Sequence, residues 1–187
     1  QTPNTEDWEK LEHLIKYIRS TKDLVLTLGA SGDRALRWWI DGSHGVHPNL
    51  RGHTGGGLSL GRGFPVSHSG KQKLNTRRST ESELVAVDDL MPAVLWTRQF
   101  MTEQGHVLSN NIVYQDNQAA ILLEKNGKAS SGKRTKHINA RFFLITDRIA
   151  KNEVKVKWCP TEDMTGDFWT KPLQGPGFRR MRDLIMG

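Results

Sequence analysis

Leu36-Arg-Trp-Trp-Ile-Asp-Gly-Ser43 decides how the rest of the chain is read. Its residues alternate: Leu36, Trp38 and Ile40 fall on one side of a strand, and Arg37, Trp39 and Asp41 on the other. The Asp-Gly-Ser ending is a turn signal and is expected to close the strand there. Asp41 is thereby a carboxylate carried on rigid sheet and presented at its open end. Alone, an Asp-Gly pair need only open a turn. The stretch gains chemical meaning from three further acids in matching settings.

Composition bounds what those acids can serve. A chain of 187 residues with 36% hydrophobic composition suits one domain with an appendage. That is enough to bury a core without disulfide or metal staples. A net charge of +7 favours a polyanionic partner. The single Cys159 excludes an intrachain disulfide and fits a reducing, intracellular compartment. No apolar run approaches the roughly 18 residues of a membrane span, and no signal-peptide pattern opens the chain, so no membrane partner is expected. The chain starts with Gln1 rather than Met and is expected to be cut from something longer. It holds no internal repeat.

Upstream of the opening strand, Asp7 to Ser20 places Trp8, Leu11, Leu14, Ile15 and Ile18 at helical spacing, with Thr5 or Asn4 as the cap. Such a helix needs something to pack on, such as the edge of a neighbouring domain. Leu24 to Leu28 reads as a short strand and Gly29 to Asp33 as a turn. Downstream, residues 44–57 form a polar, glycine-rich connection. Leu58-Ser-Leu60 and Pro65-Val-Ser-His68 follow as antiparallel strands joined across Gly61-Arg-Gly63. Lys71, Lys73, Arg77 and Arg78 lie on a loop open to two readings, solvated charge or phosphate contact.

Ser79 to Glu103 is the longest helical pattern. Thr80-Glu-Ser-Glu83 fits a capping box, which would turn Glu83 back to the Thr80 amide. Helix geometry also stacks Glu83 with Val87, Leu90 and Val94, directing it toward the core edge, whereas Glu81 lines up with Val85, Asp88 and Pro92, outward. Pro92 predicts a kink near Asp88, and Asp88 and Asp89 read as solvated. Asn111 to Asp116 repeats the opening logic, an apolar strand ending in Asp, followed by a helix from Asn117 to Lys125. If the two strands are parallel neighbours, Asp41 and Asp116 share the carboxyl edge, where open α/β sheets place their chemistry.

Residues 127–136 are Gly/Ser/Lys-rich and carry Lys128, Lys133, Arg134 and Lys136, followed by His137; phosphate binding and a solvated loop are equally defensible there. Ile138 to Ile149 is helical, and Val154-Lys-Val-Lys-Trp158 is an alternating strand with Val154, Val156 and Trp158 inward. Asp167 opens a last helical stretch with Phe168 and Trp169. A short basic helix runs from Phe178 to Met186.

Asp41, Glu83, Asp116 and Asp167 are hard oxygen donors of the kind Mg²⁺ prefers. Two such ions roughly 4 Å apart activate a water and stabilise the leaving oxygen in a phosphodiester displacement. Gathered without cations, the four carboxylates would repel one another strongly. Zinc has no matching Cys/His spacing, since His44, His47 and His53 share one loop at non-standard intervals.

Five segments together carry a resemblance: Asp41-Gly-Ser-His, Gly55-Gly-Gly, Ser79-Thr-Glu-Ser-Glu-Leu84, Tyr114-Gln-Asp-Asn-Gln-Ala119 and Asp167-Phe-Trp-Thr-Lys-Pro-Leu173, with Arg134-Thr-Lys-His-Ile138 beside them. In this order they resemble the ribonuclease H domain of Ty1/copia-type retrotransposon reverse transcriptases, from about Asp7 to the C-terminus. Residues 1–33 resemble the connection between polymerase and ribonuclease H, and residues 34–187 the ribonuclease H domain itself.

The resemblance implies an α/β fold, a ribonuclease H-like five-stranded mixed sheet flanked by helices, and cleavage of the RNA strand of RNA–DNA hybrids. It implies two Mg²⁺ ions, with Mn²⁺ as substitute. Asp41 and Asp116 would hold metal, Glu83 would share a metal and orient water, and Asp167 would complete the second metal position. Substrate contacts would come from Ser43, Ser79, Thr80, Gln118, Arg134, Lys136 and His137; reading the 2′-hydroxyl separates RNA from DNA. Ser79 and Thr80 also have the capping reading.

Partners would be the hybrid and the polymerase domain of the same polyprotein, in a cytoplasmic retrotransposon particle. The loop Cys159-Pro-Thr-Glu-Asp163 lacks the histidine many cellular ribonucleases H carry there, which implies slower turnover or a substitute such as His137. Arg78 stands where the family often has Ser. No pair of adjacent aspartates on a hairpin marks a polymerase site. Two other functions stay open: an integrase or transposase nuclease, against which the early Glu counts, and a catalytically silent nucleic-acid-binding connection domain, which would be expected to have lost a carboxylate.

Overall fold

The computed structural model describes residues 2–127 and 139–187. The chain runs α1 (Thr5–Ser20), β1 (Gly29–Ala30), β2 (Ala35–Ser43), β3 (His53–Ser59), β4 (Gly61–Arg62), β5 (Val66–Lys71) and α2 (Ser79–Glu103). It continues through β6 (Asn110–Gln115), α3 (Gln118–Asn126), α4 (Asn139–Ala150), β7 (Lys155–Trp158), α5 (Asp167–Thr170) and α6 (Gly175–Met186).

Five strands form one mixed sheet in the order β5-β3-β2-β6-β7. The central β2 runs antiparallel to β3 and parallel to β6, and β6 runs parallel to β7. The five-stranded mixed sheet flanked by helices is the architecture expected from the motifs. On β2 the alternation holds, with Leu36, Trp38 and Ile40 essentially inaccessible. Side chains of this size contribute about 1.5–3 kcal/mol each when fully buried, so β2 anchors the core. Val87, Leu90, Met91 and Val94 of α2 and Ile145 of α4 pack in the same cluster.

The turn expected at Asp-Gly-Ser does not close β2. Pairing continues through Ser43 opposite His53, because β3 starts earlier than its composition suggests. Gly55-Gly-Gly lies inside β3, not in a connection. A Cβ on Gly55 would come 2.5 Å from Thr170 Cγ2 on α5, and one on Gly56 would come 2.8 Å from Leu90 Cδ1 on α2. Consecutive glycines thus admit a helix to each face, which a side chain would hold off. This places α2 with Leu36, Trp38 and Ile40, and α5 on the opposite face with Trp39 and Asp41.

Other expectations are corrected. Leu24 to Leu28 is not a strand: it has no regular secondary structure, its large apolar side chains are exposed, and Thr27 N–H donates to the Met186 carbonyl at the end of α6. Trp158 is 52% exposed rather than inward, since β7 is an edge strand. Val85, placed on the outward line of α2, is buried because α3 and α4 pack along that flank. Helix α2 runs unbroken through Pro92, which is exposed on its outer side. In α1 the cap is Asn4, in a reciprocal pair with Asp7, and none of its residues is buried: Trp8, Leu11, Leu14, Ile15 and Ile18 all face outward. Its Tyr17 ring meets Phe178 of α6 edge-on at 5.6 Å.

Candidate active site

The parallel pairing of β2 and β6 sets the site. Trp39 and Tyr114 are the last pair of that ladder; two residues further on come Asp41, still within β2, and Asp116, one residue past the end of β6. Both acids point to the face that carries α5, whose first residue is Asp167. One carboxylate oxygen from each of Asp41, Asp116 and Asp167 lies within 4.8 Å of the others. Among the described residues these are the only His, Cys, Asp or Glu side chains grouped closely enough to share an ion. Asp41 and Asp167 are buried and Asp116 is half-buried.

Glu83 arrives from the opposite face. The expected capping box is absent: Arg78 is the N-cap residue, without a side-chain hydrogen bond, and the Arg77 N–H donates to Glu81 Oε2 at 2.7 Å. Glu83 is therefore free to reach over the sheet edge, where its Oε2 accepts from the Gly42 N–H at 3.1 Å. Gly42 permits the approach, since a Cβ there would lie 2.3 Å from the Ser82 carbonyl oxygen. Burial, then the charges of Asp41 and Asp116, push the Glu83 carboxyl well above its usual range. Of the four expected acids, three form the group and Glu83 lies beside it, bonded to Gly42 and within electrostatic range of Asp41 and Asp116.

Each acid also has its own support. The Thr170 hydroxyl donates to Asp41 Oδ2, the Gly42 amide to Glu83, the Thr161 hydroxyl to Asp116 Oδ2 at 3.0 Å, and the Lys171 ammonium to Asp167 Oδ1 at 2.7 Å. Thr161 sits on the loop after β7 that lacks a histidine. Thr170, Thr161 and Lys171 were not anticipated as site residues. The only sequence signal is local to α5: Thr170, its last residue, and Lys171, which follows it, stand three and four residues after Asp167.

Burial pushes Asp167 up to about 6, with the hydrogen bond from Lys171 pulling it down and the charge of Asp41 adding to the rise. Lys171 does not seal the acid away, because its side chain is 41% exposed.

The remaining expected residues are placed as follows. Ser43 is half-buried and donates to the Thr170 carbonyl at 3.2 Å, tying β2 to α5. Ser79 is exposed and Thr80 half-buried in the first turn of α2, one turn before Glu83, and Gln118 is exposed two residues after Asp116. Arg134, Lys136 and His137 lie outside the described residues. His47 and His53 bond to each other at 3.0 Å, and His44 contacts Thr76 and Ser82, so these imidazoles do not join the acids. Asp89, expected to be solvated, accepts from the Thr54 hydroxyl at 2.9 Å. Burial pushes the Cys159 thiol up to about 11, which excludes a thiolate nucleophile near neutral pH.

The donor set is all carboxylate, close together and mutually repelling, which suits a divalent cation with hard-oxygen preference.

The fold class is that of ribonuclease H. LC11-RNase H1, isolated from compost by a metagenomic approach, superposes with a TM-score of 0.52 at 13% identity, over 72% of this chain and 91% of that one. The chain is homologous to Pol polyproteins of plant Ty1/copia-type transposons, the relationship its motifs indicated. It is 28% identical to the retrovirus-related Pol polyprotein from transposon TNT 1-94 of Nicotiana tabacum over 99% of its own length, and 28% identical to that from transposon RE2 of Arabidopsis thaliana over 95%. It spans 14% and 12% of the length of these two relatives. No protein-family model matches the chain. No helix among the described residues is long and apolar enough to cross a membrane.

Proposed function

We propose that the chain is an endoribonuclease that cuts the RNA strand of RNA–DNA hybrids, as the ribonuclease H part of a retrotransposon polyprotein acting during reverse transcription in a cytoplasmic particle. The observation that carries this reading is the meeting of Asp41, Asp116 and Asp167 within 4.8 Å at the carboxyl edge of parallel strands. Divalent cations, two Mg²⁺ or their Mn²⁺ substitutes, would supply the acidity that activates water and stabilises the leaving oxygen. Asp41 and Asp116 would hold them, Asp167 would complete the second position, and Glu83 would share one of them and orient the attacking water. Ser79 and Thr80, one turn before Glu83, and Gln118, two residues after Asp116, would meet the RNA strand, where a 2′-hydroxyl would be read. A net charge of +7 supports binding to the phosphate backbone.

The exposed apolar face of α1 supports residues 1–33 as the connection to a polymerase domain of the same polyprotein.

The test is incubation of the purified chain with labelled hybrid, duplex RNA and duplex DNA in Mg²⁺. The expected outcome is cutting confined to RNA in the hybrid, leaving 3′-hydroxyl and 5′-phosphate ends. Equal cutting of DNA would indicate an integrase-type nuclease instead, and tight binding without cutting a silent connection domain.

A further inference from the structure

Lys171 stands out at the site because it supplies positive charge where a cation is wanted. It directly follows α5, four residues after Asp167, and its backbone N–H donates to the Asp167 carbonyl at 2.9 Å. Pro172 follows at once, removes the next backbone donor and disfavours helical geometry at Lys171. The residue is thus held at the last turn with its side chain lying back over Asp167. The ammonium sits 2.7 Å from Asp167 Oδ1, half in solvent, above a carboxylate whose own side chain is only 9% exposed. Burial lowers the lysine's proton affinity, yet the bond to Asp167 and the charges of Asp41, Asp167 and Asp116 together hold it above its usual range. Those three acids are the same three whose oxygens gather within 4.8 Å.

Charge balance gives this placement a consequence. Four carboxylates carry four negative charges once all are ionised, the state in which they bind divalent cations. One divalent cation and one ammonium leave a single charge uncompensated, whereas one divalent cation without the ammonium leaves two. A lysine on Asp167 therefore stabilises a half-loaded site and opposes full loading. An ammonium and a hard divalent cation also compete for the same oxygen, and a buried carboxylate stripped of one partner demands another.

We propose that Lys171 is the resident counter-cation of the site: its ammonium must leave Asp167 before that carboxylate can accept a second divalent cation, so Lys171 sets the cation concentration at which the site fills. The inference rests on the reading above, that these acids hold divalent cations. The exposure of the side chain gives it room to swing into solvent and return. A polyanion reaching the exposed part of the lysine would draw the ammonium away from Asp167 and favour filling.

The test counts Mn²⁺ bound by the intact chain, from the EPR signal of the free ion, for wild type, Lys171→Gln and Lys171→Arg, without nucleic acid. Wild type is expected to bind one Mn²⁺ more tightly than a second. Lys171→Gln is expected to bind the weaker ion about 10-fold more tightly, the lower end of what a partner of a metal ligand does to affinity. Its thermal unfolding in chelator is expected at lower temperature at pH 7, because Asp167 has lost its cation. Lys171→Arg, which keeps the charge, is expected to match wild type in uptake. Unchanged or weaker uptake by Lys171→Gln, with wild type still binding Mn²⁺, overturns the role given to Lys171 and leaves the site reading standing. Absence of Mn²⁺ uptake by wild type overturns both.

Discussion

Asp41, inside β2, and Asp116, one residue past the end of β6, each stand two residues beyond the paired Trp39 and Tyr114. Asp41 is held by the sheet, and Asp116 is held between the end of β6 and the Asn117 cap of α3, with the Thr161 hydroxyl on its Oδ2. Asp116→Asn keeps the size of the side chain and an acceptor for the Thr161 hydroxyl, and so is expected to leave fold and hybrid binding intact. Cleavage of labelled hybrid is expected to fall by more than about 100-fold, beyond the usual cost of losing an outer partner of a metal ligand. A variant with normal turnover would remove Asp116 from the site.

Glu83 is buried, raised in pKa and held by the Gly42 amide. The unfolded chain ionises this acid at lower pH than the folded one, so its charge costs stability as pH rises. Glu83→Gln retains an acceptor for Gly42 without the charge. In chelator at pH 8 the variant is expected to melt at or above wild type, with the advantage vanishing near pH 4, while cleavage is lost. Thermal melts at the two pH values check the sign.

Thr170 reaches Asp41 with its hydroxyl from the other end of the chain. Thr170→Val preserves shape and removes the donor. The expected effects are a stability loss of about 1 kcal/mol and a fall in cleavage of about 10- to 100-fold. Recovery of much of the rate at raised Mg²⁺ would mark the loss as one of cation affinity.

Asp167 titrates at about 6, against an ordinary value of 3.8, chiefly because it is buried. Between these values the folded, cation-free protein binds a proton that the unfolded chain has released, so stability falls as pH rises through the window. Melts in chelator from pH 4 to 7 are expected to show that fall, and Asp167→Asn to lack this component. Saturating Mg²⁺ requires ionised acids, so its stabilising increment is expected to grow over the same range.

Gly42 lets the start of α2 rest on β2, with a would-be Cβ 2.3 Å from the Ser82 oxygen and 2.8 Å from the Glu83 nitrogen. Gly42→Ala must push the helix start away. Urea unfolding is expected to show a loss of roughly 1–3 kcal/mol, with cleavage reduced further because Glu83 moves.

Alternation made β2 and β6 legible, and the order of acids made the site legible, because each depends on periodicity or motif within a few residues. Strand β3 was half missed: glycine disfavours strands locally, and only the approach of Thr170 on one side and Leu90 on the other explains why it is required. The reading of Leu24 to Leu28 failed for the opposite reason, since strand-forming residues there find no edge to pair with and dock instead on the end of α6. The capping-box reading of Thr80 and Glu83 was chemically sound but lost to a long-range acceptor need at Gly42. The partners Thr161 and Thr170 lie 45 and 129 residues from the acids they support, distances over which sequence carries no local signal.

The central claim, that carboxylates from β2, α2, β6 and α5 share divalent cations, is tested most directly by anomalous scattering from crystals grown with Mn²⁺. The expected result is Mn²⁺ density among Asp41, Asp116 and Asp167, roughly 2 Å from their oxygens, with Glu83 at its edge. Clear density for the four side chains with no bound Mn²⁺ between them, at saturating concentration, would contradict it.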